Sequence, residues 1–266
     1  MKILVLLGSP RKKDSYNVCK MIESKMRKKG SVTFEYIHLS TLNIRECKGC
    51  NLCLQKGEEY CSIKDDITEL RDKMIKADGI IFASPVYACH ITSTFKKVID
   101  RLAYLFHRPK LIGKPALNII TTGGGARKVT GKYLKMTACG WGCNLVGTIS
   151  IISPMFFEDN NMYSSKYYNK INKYTDKLVE EFYNKINNYE LPKPSFYDIY
   201  MFNGLRSKTY MSEVDYSYWE NKGWLNSNYY YKTKINIFKK TFGKILSYMI
   251  KKAFNKMQNN GTTRQG

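Results

Sequence analysis

The chain lacks any long apolar run. No stretch of 18 or more consecutive apolar residues occurs among its 266 residues, which excludes an ordinary membrane-spanning helix. The opening MKILVLL contains an apolar run of about six residues, which is shorter than the roughly 7–15 residues of a secretory leader. GSPR follows it directly, so this segment predicts a first strand. We therefore expect a cytoplasmic protein, whose thiols stay reduced.

The chain is also poor in acidic residues, with 22 Asp and Glu against 44 Lys and Arg, a net charge of +22. Such an excess suits nucleic acid or an anionic membrane surface. However, only nine of the 44 basic residues are arginine, on which nucleic-acid readers usually depend. A codon bias towards Lys, Asn, Ile and Tyr explains the same composition, so we predict no nucleic-acid partner.

Short apolar segments alternate with segments of helical period along the first two thirds of the chain. The predicted strands span residues 2–7, 32–39, 79–85, 114–125 and 144–152, and a helix pattern follows each of them. This alternation predicts an α/β protein with a parallel sheet covered by helices on both faces. Five such units fit a flavodoxin-like doubly wound sheet of order 2-1-3-4-5.

A change of composition after ELPKP divides the chain into a domain at residues 1–190 and an extension at residues 191–266 that is rich in Lys and Tyr. Within the extension, residues 232–258 contain eight lysines and no acid, and apolar residues recur every three or four positions. This basic amphipathic pattern predicts a helix that contacts a membrane surface, or one that packs on its own domain or on a sister subunit.

Three loops of the predicted sheet share its carboxyl edge. They are GSPRKKDSYN at 8–17, SPVYACHITS at 84–93 and TTGGGA at 121–126. The first offers hydroxyls, an arginine and a helix N-terminus, which suit a phosphate group, and the glycines of the third allow a ligand to approach the backbone. Neither a Walker A motif nor G-x-G-x-x-G is present. Each loop alone is equally consistent with an ordinary turn.

Four of the eight cysteines fall in CKGCNLCLQKGEEYC, between the second strand and its helix. The spacing is C-x2-C-x2-C-x7-C, and the residues are Cys47, Cys50, Cys53 and Cys61. Four soft thiolates suit an iron–sulfur cluster or zinc, whereas structural zinc more often uses two separated pairs. Reduced thiols without a metal remain an alternative. The other cysteines indicate small buried residues, except Cys89, which falls in the second loop.

Taken together, these motifs resemble those of the NADPH-dependent FMN reductases of the flavodoxin superfamily. The resemblance rests on GSPR after the first strand, SPVY…FKKVIDR after the third, and C-x-G-C-x-x-C…C-x-x-x-DD between them, and it covers roughly residues 1–155. The cysteine block is similar to that of the iron–sulfur flavoproteins within this group. One departure is DSYN, where the family usually has Gly-Asn-Thr or Gly-Asn-Ser, because Asp14 brings a carboxylate near a phosphate.

The resemblance implies three sets of ligands. The FMN phosphate would be held by Ser9, Arg11, Ser15, Tyr16 and Asn17. The isoalloxazine ring would be lined by Pro85, Val86, Tyr87, Ala88, Cys89, His90, Gly123, Gly124 and Gly125. A [4Fe–4S] cluster would be held by Cys47, Cys50, Cys53 and Cys61.

The same resemblance implies an electron-transfer flavoprotein that takes electrons from NAD(P)H or ferredoxin and passes them to quinones, O2 or small electrophiles. It also implies a homo-oligomer. No catalytic side chain is expected, because the flavin carries the chemistry, and His90 and His107 are more typical of structural histidines. Two alternatives stay open: a flavin or quinone reductase without a cluster, and a peripheral membrane or redox-sensing binding protein.

Overall fold

The fold is built on a parallel sheet of five strands. In the computed structural model, which describes residues 1–153, 165–188 and 191–262, the strand order is β2-β1-β3-β4-β5. The strands are β1 (Lys2–Leu7), β2 (Thr33–His38), β3 (Gly79–Pro85), β4 (Pro115–Thr122) and β5 (Asn144–Ile152). All four pairings are parallel, so the predicted sheet and its order are confirmed.

Nine α-helices occur in the described part of the chain. They are α1 (Asp14–Arg27), α2 (Leu52–Gln55), α3 (Ile67–Lys76), α4 (Ser93–Arg101), α5 (Arg127–Gly140), α6 (Ser165–Asn187), α7 (Phe196–Lys208), α8 (Glu213–Asn221) and α9 (Ile237–Thr262). None of the described helices is long and apolar enough to cross a membrane.

The central strands are buried on both faces, as their continuous apolar sequences predict. On one face, Val5, Ile81 and Ile119 belong to the same buried cluster as residues of α1 and α6, among them Ile22 and Phe182. Full burial of one such side chain contributes about 1.5–3 kcal/mol to the stability of the fold. This layer therefore holds the strands, and with them the strand ends, in place.

The opposite face of the sheet is packed by large aromatic side chains. Phe82 of β3 lies 6.3 Å from Phe95 of α4 and 6.0 Å from Trp141, measured between ring centroids. All three rings are at most 1% exposed. Helices therefore cover the sheet on both sides, and only its ends are available to a ligand.

Two compact units can be distinguished by their internal contacts. The first comprises residues 1–49, 63–103 and 110–191, and contains the sheet. The second comprises residues 50–62, 104–109 and 192–266. The sequence predicts a boundary between residues 190 and 191. Positions 189 and 190, which adjoin this boundary, lie outside the described residues. Cys47 belongs to the first unit, whereas Cys50, Cys53 and Cys61 belong to the second.

The second unit has an aromatic core of its own. Phe202, Trp219, Trp224 and Tyr230 are buried, and their rings pack edge-on or tilted at centroid distances of 4.8–5.8 Å. Trp224 donates its indole N–H to the Tyr230 carbonyl at 2.9 Å. Such packing stabilises the unit without strands, because large rings bury much area per residue.

The amphipathic helix predicted at about 232–258 is present as α9, but it begins at Ile237. The Asn236 side chain accepts a hydrogen bond from the Phe238 amide at 2.8 Å, and its carbonyl accepts from the Lys240 amide at 3.1 Å. An asparagine that accepts from the first-turn amides is a favourable helix cap, so the helix begins after Asn236 and not at Lys232.

Candidate active site

A cleft lies at the carboxyl edge of the sheet, where the loops after β1, β3 and β4 meet. It holds about 350 Å³ of space, including open solvent, and is lined by Ser9, Arg11, Lys13, Asp14, Ser15, Pro85, Val86, Tyr87, Thr121 and Thr122. In a sheet of this order the chain crosses to opposite faces around β1 and β3, which leaves a crevice at this edge for a ligand. The three predicted loops are therefore brought together.

The first loop forms a tight turn that leads into α1. The Ser9 hydroxyl is buried, accepts from the Arg11 amide at 3.2 Å and donates to the Arg11 carbonyl at 3.1 Å. The cap position of α1 is Lys13, whose side chain makes no capping hydrogen bond to the helix. The first amides of a helix have no partner within it and carry partial positive charge, so this end of α1 is suited to bind an anion.

Two hydrogen bonds join the first loop to the other two. Arg11 donates from its guanidinium to the Tyr87 hydroxyl at 3.2 Å. The Ser15 hydroxyl shares a buried hydrogen bond of 2.7 Å with the Thr121 hydroxyl. These contacts fix the entrance of α1 against β3 and β4, so the mouth of the cleft is preorganised.

Gly8, the first residue of the first loop, packs closely against β3 and the start of α4. Its amide donates to the Ala83 carbonyl at 2.8 Å. A Cβ at this position would lie 2.8 Å from the Thr92 Oγ1 and 3.0 Å from the Phe95 ring. Because that hydroxyl caps α4 by accepting from the Phe95 amide, it cannot move without uncapping the helix.

We expect Gly8→Ala to lower the free energy of unfolding by about 1–3 kcal/mol, the usual result of overfilling a packed site. Gly124→Ala is the matched control, since a Cβ there meets no atom of the structurally described residues within 4 Å, and we expect a change within about 0.5 kcal/mol. Urea unfolding of both variants, prepared free of bound ligand, measures the difference in stability. Equal losses of stability in the two variants would contradict the prediction that the close contact at Gly8 excludes a larger side chain.

The second loop contains a strained two-residue hairpin. Tyr87 and His90 exchange both backbone hydrogen bonds, at 2.8 and 3.0 Å. The residues between them, Ala88 and Cys89, have φ of 46° and 64°. Turns of this kind favour Asn-Gly, and a left-handed residue with a Cβ costs roughly 1–2 kcal/mol. Strain of this size in an exposed loop is typical of functional sites.

The third loop is ordered by one hydroxyl. Thr122 Oγ1 accepts from the Gly124 amide at 3.1 Å and donates to the Gly125 carbonyl at 3.0 Å. Among the described residues, no atom would lie within 4 Å of a Cβ at Gly124 or Gly125. The packing of the described part of the chain therefore does not require glycine at these two positions.

The structure places some of the predicted phosphate and ring residues in the cleft and others outside its lining. Ser9, Arg11, Ser15, Pro85, Val86 and Tyr87 line it. The Tyr16 ring instead packs against Tyr36 at 5.4 Å, and Asn17 is exposed. His90 lies 4.5 Å from the Tyr133 ring.

Sequence reasoning missed three cleft residues, namely Lys13, Thr121 and Thr122, and treated Asp14 as an obstacle. The threonines end a buried strand, and in a doubly wound sheet the strand ends are where ligands bind, so their position was a usable signal. Asp14 is partly buried in the first turn of α1, where the helix dipole favours an acidic side chain.

Comparison with known proteins identifies the fold's relatives. The sequence model of the NADPH-dependent FMN reductases matches residues 1–158. The chain belongs to this family. It is accordingly a flavin oxidoreductase, and the resemblance inferred from GSPR, SPVY and the cysteine block is confirmed.

Relatives of this FMN reductase family member include two proteins of Archaeoglobus fulgidus, each named iron-sulfur flavoprotein. One is 31% identical over 234 residues, which cover 85% of this chain and 100% of that protein. The other is 42% identical over 101 residues, 38% of this chain and 48% of that protein. A solved flavone reductase shares the fold with a TM-score of 0.54 at 18% identity, over 73% of this chain and 66% of that one.

A buried ion pair holds together the two ends of the cysteine-bearing loop, which runs from residue 46 to residue 62. Arg101 of α4 contacts the Asp65 carboxylate at 2.5 and 3.2 Å, and both side chains are at most 2% exposed. Arg101 also donates to the carbonyls of Arg45 and Ile63, at 3.1 and 3.2 Å. The arginine therefore bridges the point where the loop begins and the point where it ends.

Backbone amides complete this clamp. Asp65 accepts from the Arg45 amide at 2.9 Å, and Asp66 accepts from the Asn43 amide at 2.7 Å. Burial alone would raise the pKa of Asp65, but hydrogen bonds from Arg101 and from backbone amides outweigh it and hold that pKa below its usual value. The carboxylate thus stays charged, and the DD of the sequence motif has a structural purpose.

Within the second unit, residues 50–62 are held by Arg108. This arginine is 2% exposed and donates to the Cys53 carbonyl, to the Glu58 carboxylate at 3.1 Å and to the Asp215 carboxylate. Asp215 also binds the His107 Nδ1 at 2.7 Å. The Ser212 hydroxyl donates to the Leu54 carbonyl at 2.6 Å. The extension therefore supplies the support for the segment that carries three of the cysteines.

All eight cysteines are thiols, and they differ in exposure. Cys47 and Cys50 are exposed, and Cys53 and Cys61 are partly exposed. Burial raises the pKa of the Cys19 and Cys143 thiols, which makes them poor nucleophiles and poor ligands. Among the described residues, no group of three or more His, Cys, Asp or Glu side chains is arranged to hold a metal.

Proposed function

We propose that this chain binds FMN in the cleft at the carboxyl edge of the sheet, with the phosphate at the N-terminus of α1. The observation that supports this most strongly is the uncapped start of α1 facing a cleft that three loops line. In this proposal the amides of the first turn and the Ser9–Arg11 turn bind the phosphate. The side chain of Ser15 serves to position the turn, since Thr121 already engages its hydroxyl.

The ring is proposed to lie against residues 85–90 and 123–125. The backbone of the strained turn at Ala88 and Cys89 would orient its polar edge, and the open space beside Gly124 and Gly125 would accept its face. FMN, when bound, supplies the acceptor for a hydride or for electrons taken one at a time. The protein's own contribution is to bind, orient and exclude water, and no side-chain acid is needed.

A [4Fe–4S] cluster on Cys47, Cys50, Cys53 and Cys61 is the finer part of the proposal. Four thiolates at this spacing are the donor set that such a cluster requires, and relatives that match most of the chain are named iron-sulfur flavoproteins. A cluster would pass single electrons to or from the flavin. We propose NAD(P)H or ferredoxin as the electron donor and quinones, O2 or small electrophiles as the acceptor. We also propose a homo-oligomeric assembly.

A flavin reductase without a cluster is the second candidate. It is favoured by one observation: among the residues the structure describes, the cysteines are not gathered into a group that could hold a metal. In that case residues 47–61 would be an exposed, thiol-bearing segment. Iron content separates the two candidates.

Titration of flavin-free protein tests the proposed FMN site. We expect FMN to bind at least about 100-fold more tightly than riboflavin. Riboflavin has no phosphate and therefore cannot make the charge-assisted hydrogen bonds that FMN makes. Gly124→Ala should weaken FMN binding about tenfold or more, although it leaves the fold intact, since its methyl group enters the space proposed for the ring. Flavin fluorescence quenching measures both. Equal affinity for FMN and riboflavin would contradict a phosphate site at α1.

A further inference from the structure

The outer face of α9 is apolar and exposed. Ile237, Phe238, Phe242, Ile245, Tyr248 and Met249 are all exposed, with Phe238 at 73% and Met249 at 62%. At about 100° per residue these six positions fall within an arc of about 140° on one side of the helix. Exposed apolar side chains in a continuous stripe are uncommon on soluble proteins and indicate an interaction surface.

Packing of α9 within its own unit uses mainly a different face. A Cβ at Gly243 would lie 2.6 Å from the Asn203 amide of α7. The Ser247 hydroxyl donates to the Asn203 side chain at 3.1 Å and accepts from Arg206 at 3.2 Å. Contact with α7 therefore accounts for the side of the helix that bears Gly243 and Ser247. Of the stripe, Phe242 alone lies against an α7 ring among the described residues, 5.9 Å from Phe196 between ring centroids, and the other five side chains are 54% or more exposed.

The surroundings of the stripe are cationic. No Asp or Glu follows Glu220 in the chain, and Lys240, Lys244 and Lys251 flank the stripe on one side of the helix. A second copy of the same face would bring these lysines against each other, which is unfavourable, whereas a negatively charged surface would neutralise them. Long lysine side chains also extend past a buried helix towards lipid headgroups.

We propose that α9 binds the surface of an anionic membrane, with the apolar stripe inserted at the headgroup boundary and the lysines on the phosphates. The pattern is that of an interfacial helix: an apolar face, a cationic flank and no acid. A membrane location would suit a lipid-soluble electron acceptor, but the proposal stands on α9 alone and does not depend on the cofactors.

Co-sedimentation of the purified full chain with vesicles tests this proposal. We expect binding to phosphatidylcholine vesicles that contain about 30% phosphatidylserine, loss of binding with phosphatidylcholine alone, and weakening by salt. Phe238→Ser/Met249→Ser should bind at least about tenfold more weakly. Val129→Ser/Met136→Ser, which alters two exposed apolar residues of α5, is the matched control and should bind as the parent does.

A further variant separates the effect of lost charge from the effect of lost folding. Lys240→Gln/Lys244→Gln/Lys251→Gln should also weaken binding to anionic vesicles, while its circular dichroism stays that of the parent. Equal binding to neutral and anionic vesicles, or none to either, would overturn the proposal. So would a dimer in sedimentation velocity that dissociates in Phe238→Ser/Met249→Ser, because the stripe would then belong to a second copy.

Discussion

Arg101→Met should lower the free energy of unfolding by about 3–5 kcal/mol, the usual cost of removing one partner of a buried ion pair. The Asp65 carboxylate would remain in a site where its own side chain is fully buried. The carbonyls of Arg45 and Ile63 would also lose their donor. We therefore expect the two ends of the cysteine-bearing loop, at Arg45 and Ile63, to lose their anchorage as well.

Lys96→Met is the control for this variant. Lys96 lies on the same helix and pairs with Asp100, but both side chains are more than 40% exposed. An exposed pair contributes about 0–1 kcal/mol, so the two variants should differ several-fold in their loss of stability. Urea unfolding measures both. Similar losses would contradict the role given to Arg101.

The effect should also depend on pH. Since the pKa of Asp65 lies below its usual value in the folded protein, its stabilising contribution is complete above the unfolded pKa of about 3.9 and is lost as pH falls through the folded pKa. The difference between the parent and Arg101→Met should therefore be largest near neutrality and shrink below about pH 4.

Under the proposed function, Arg108→Met should lower the iron content of the protein and leave its FMN content unchanged. Arg108 is the buried donor to the Cys53 carbonyl, and its own charge is balanced by Asp215 and Glu58. Removing it leaves the Asp215 carboxylate, 1% exposed, without its arginine partner, while the His107 Nδ1 still lies 2.7 Å from it. A cost of about 3 kcal/mol corresponds to a factor of about 100 in the equilibrium that orders residues 50–62.

The proposed FMN residues all belong to the first unit, so their occupancy should not change in this variant. Arg206→Met is the matched control. Arg206 is a partly buried arginine of the second unit that donates to the Ser227 carbonyl and to Asn203, and none of these lies in the cysteine-bearing segment. Iron and FMN per chain are assayed after anaerobic purification. Equal loss of iron in both variants would show only a general weakening of the second unit.

Much of the fold follows from the sequence because its signals are local. KILVLL and GIIFASP are continuous apolar runs bounded by turns, and each forms a strand within one residue of its predicted limits. The parallel pairing follows from the alternation of strands with helices, since parallel neighbours need a crossover, and five such units fit the order 2-1-3-4-5. The three loops of the cleft follow in turn, because they end neighbouring strands.

The support of the cysteine segment could not be predicted in this way. Arg108 and Asp215 are 107 residues apart, and each resembles an ordinary surface charge in its local sequence. Only the folded second unit, built from three separate stretches of the chain, shows that both are buried. Likewise, nothing in ACHI indicates that Ala88 and Cys89 adopt left-handed backbone, because neither residue favours it.

The measurement that bears most directly on the proposed function is the content of FMN, iron and acid-labile sulfide in the same anaerobically purified sample, with its visible spectrum. We expect about one FMN with about four irons and four sulfides per chain. FMN without iron, after reconstitution with iron and sulfide has been attempted, would contradict the cluster and leave a flavin reductase. Absence of FMN under every condition would contradict the account of the cleft itself.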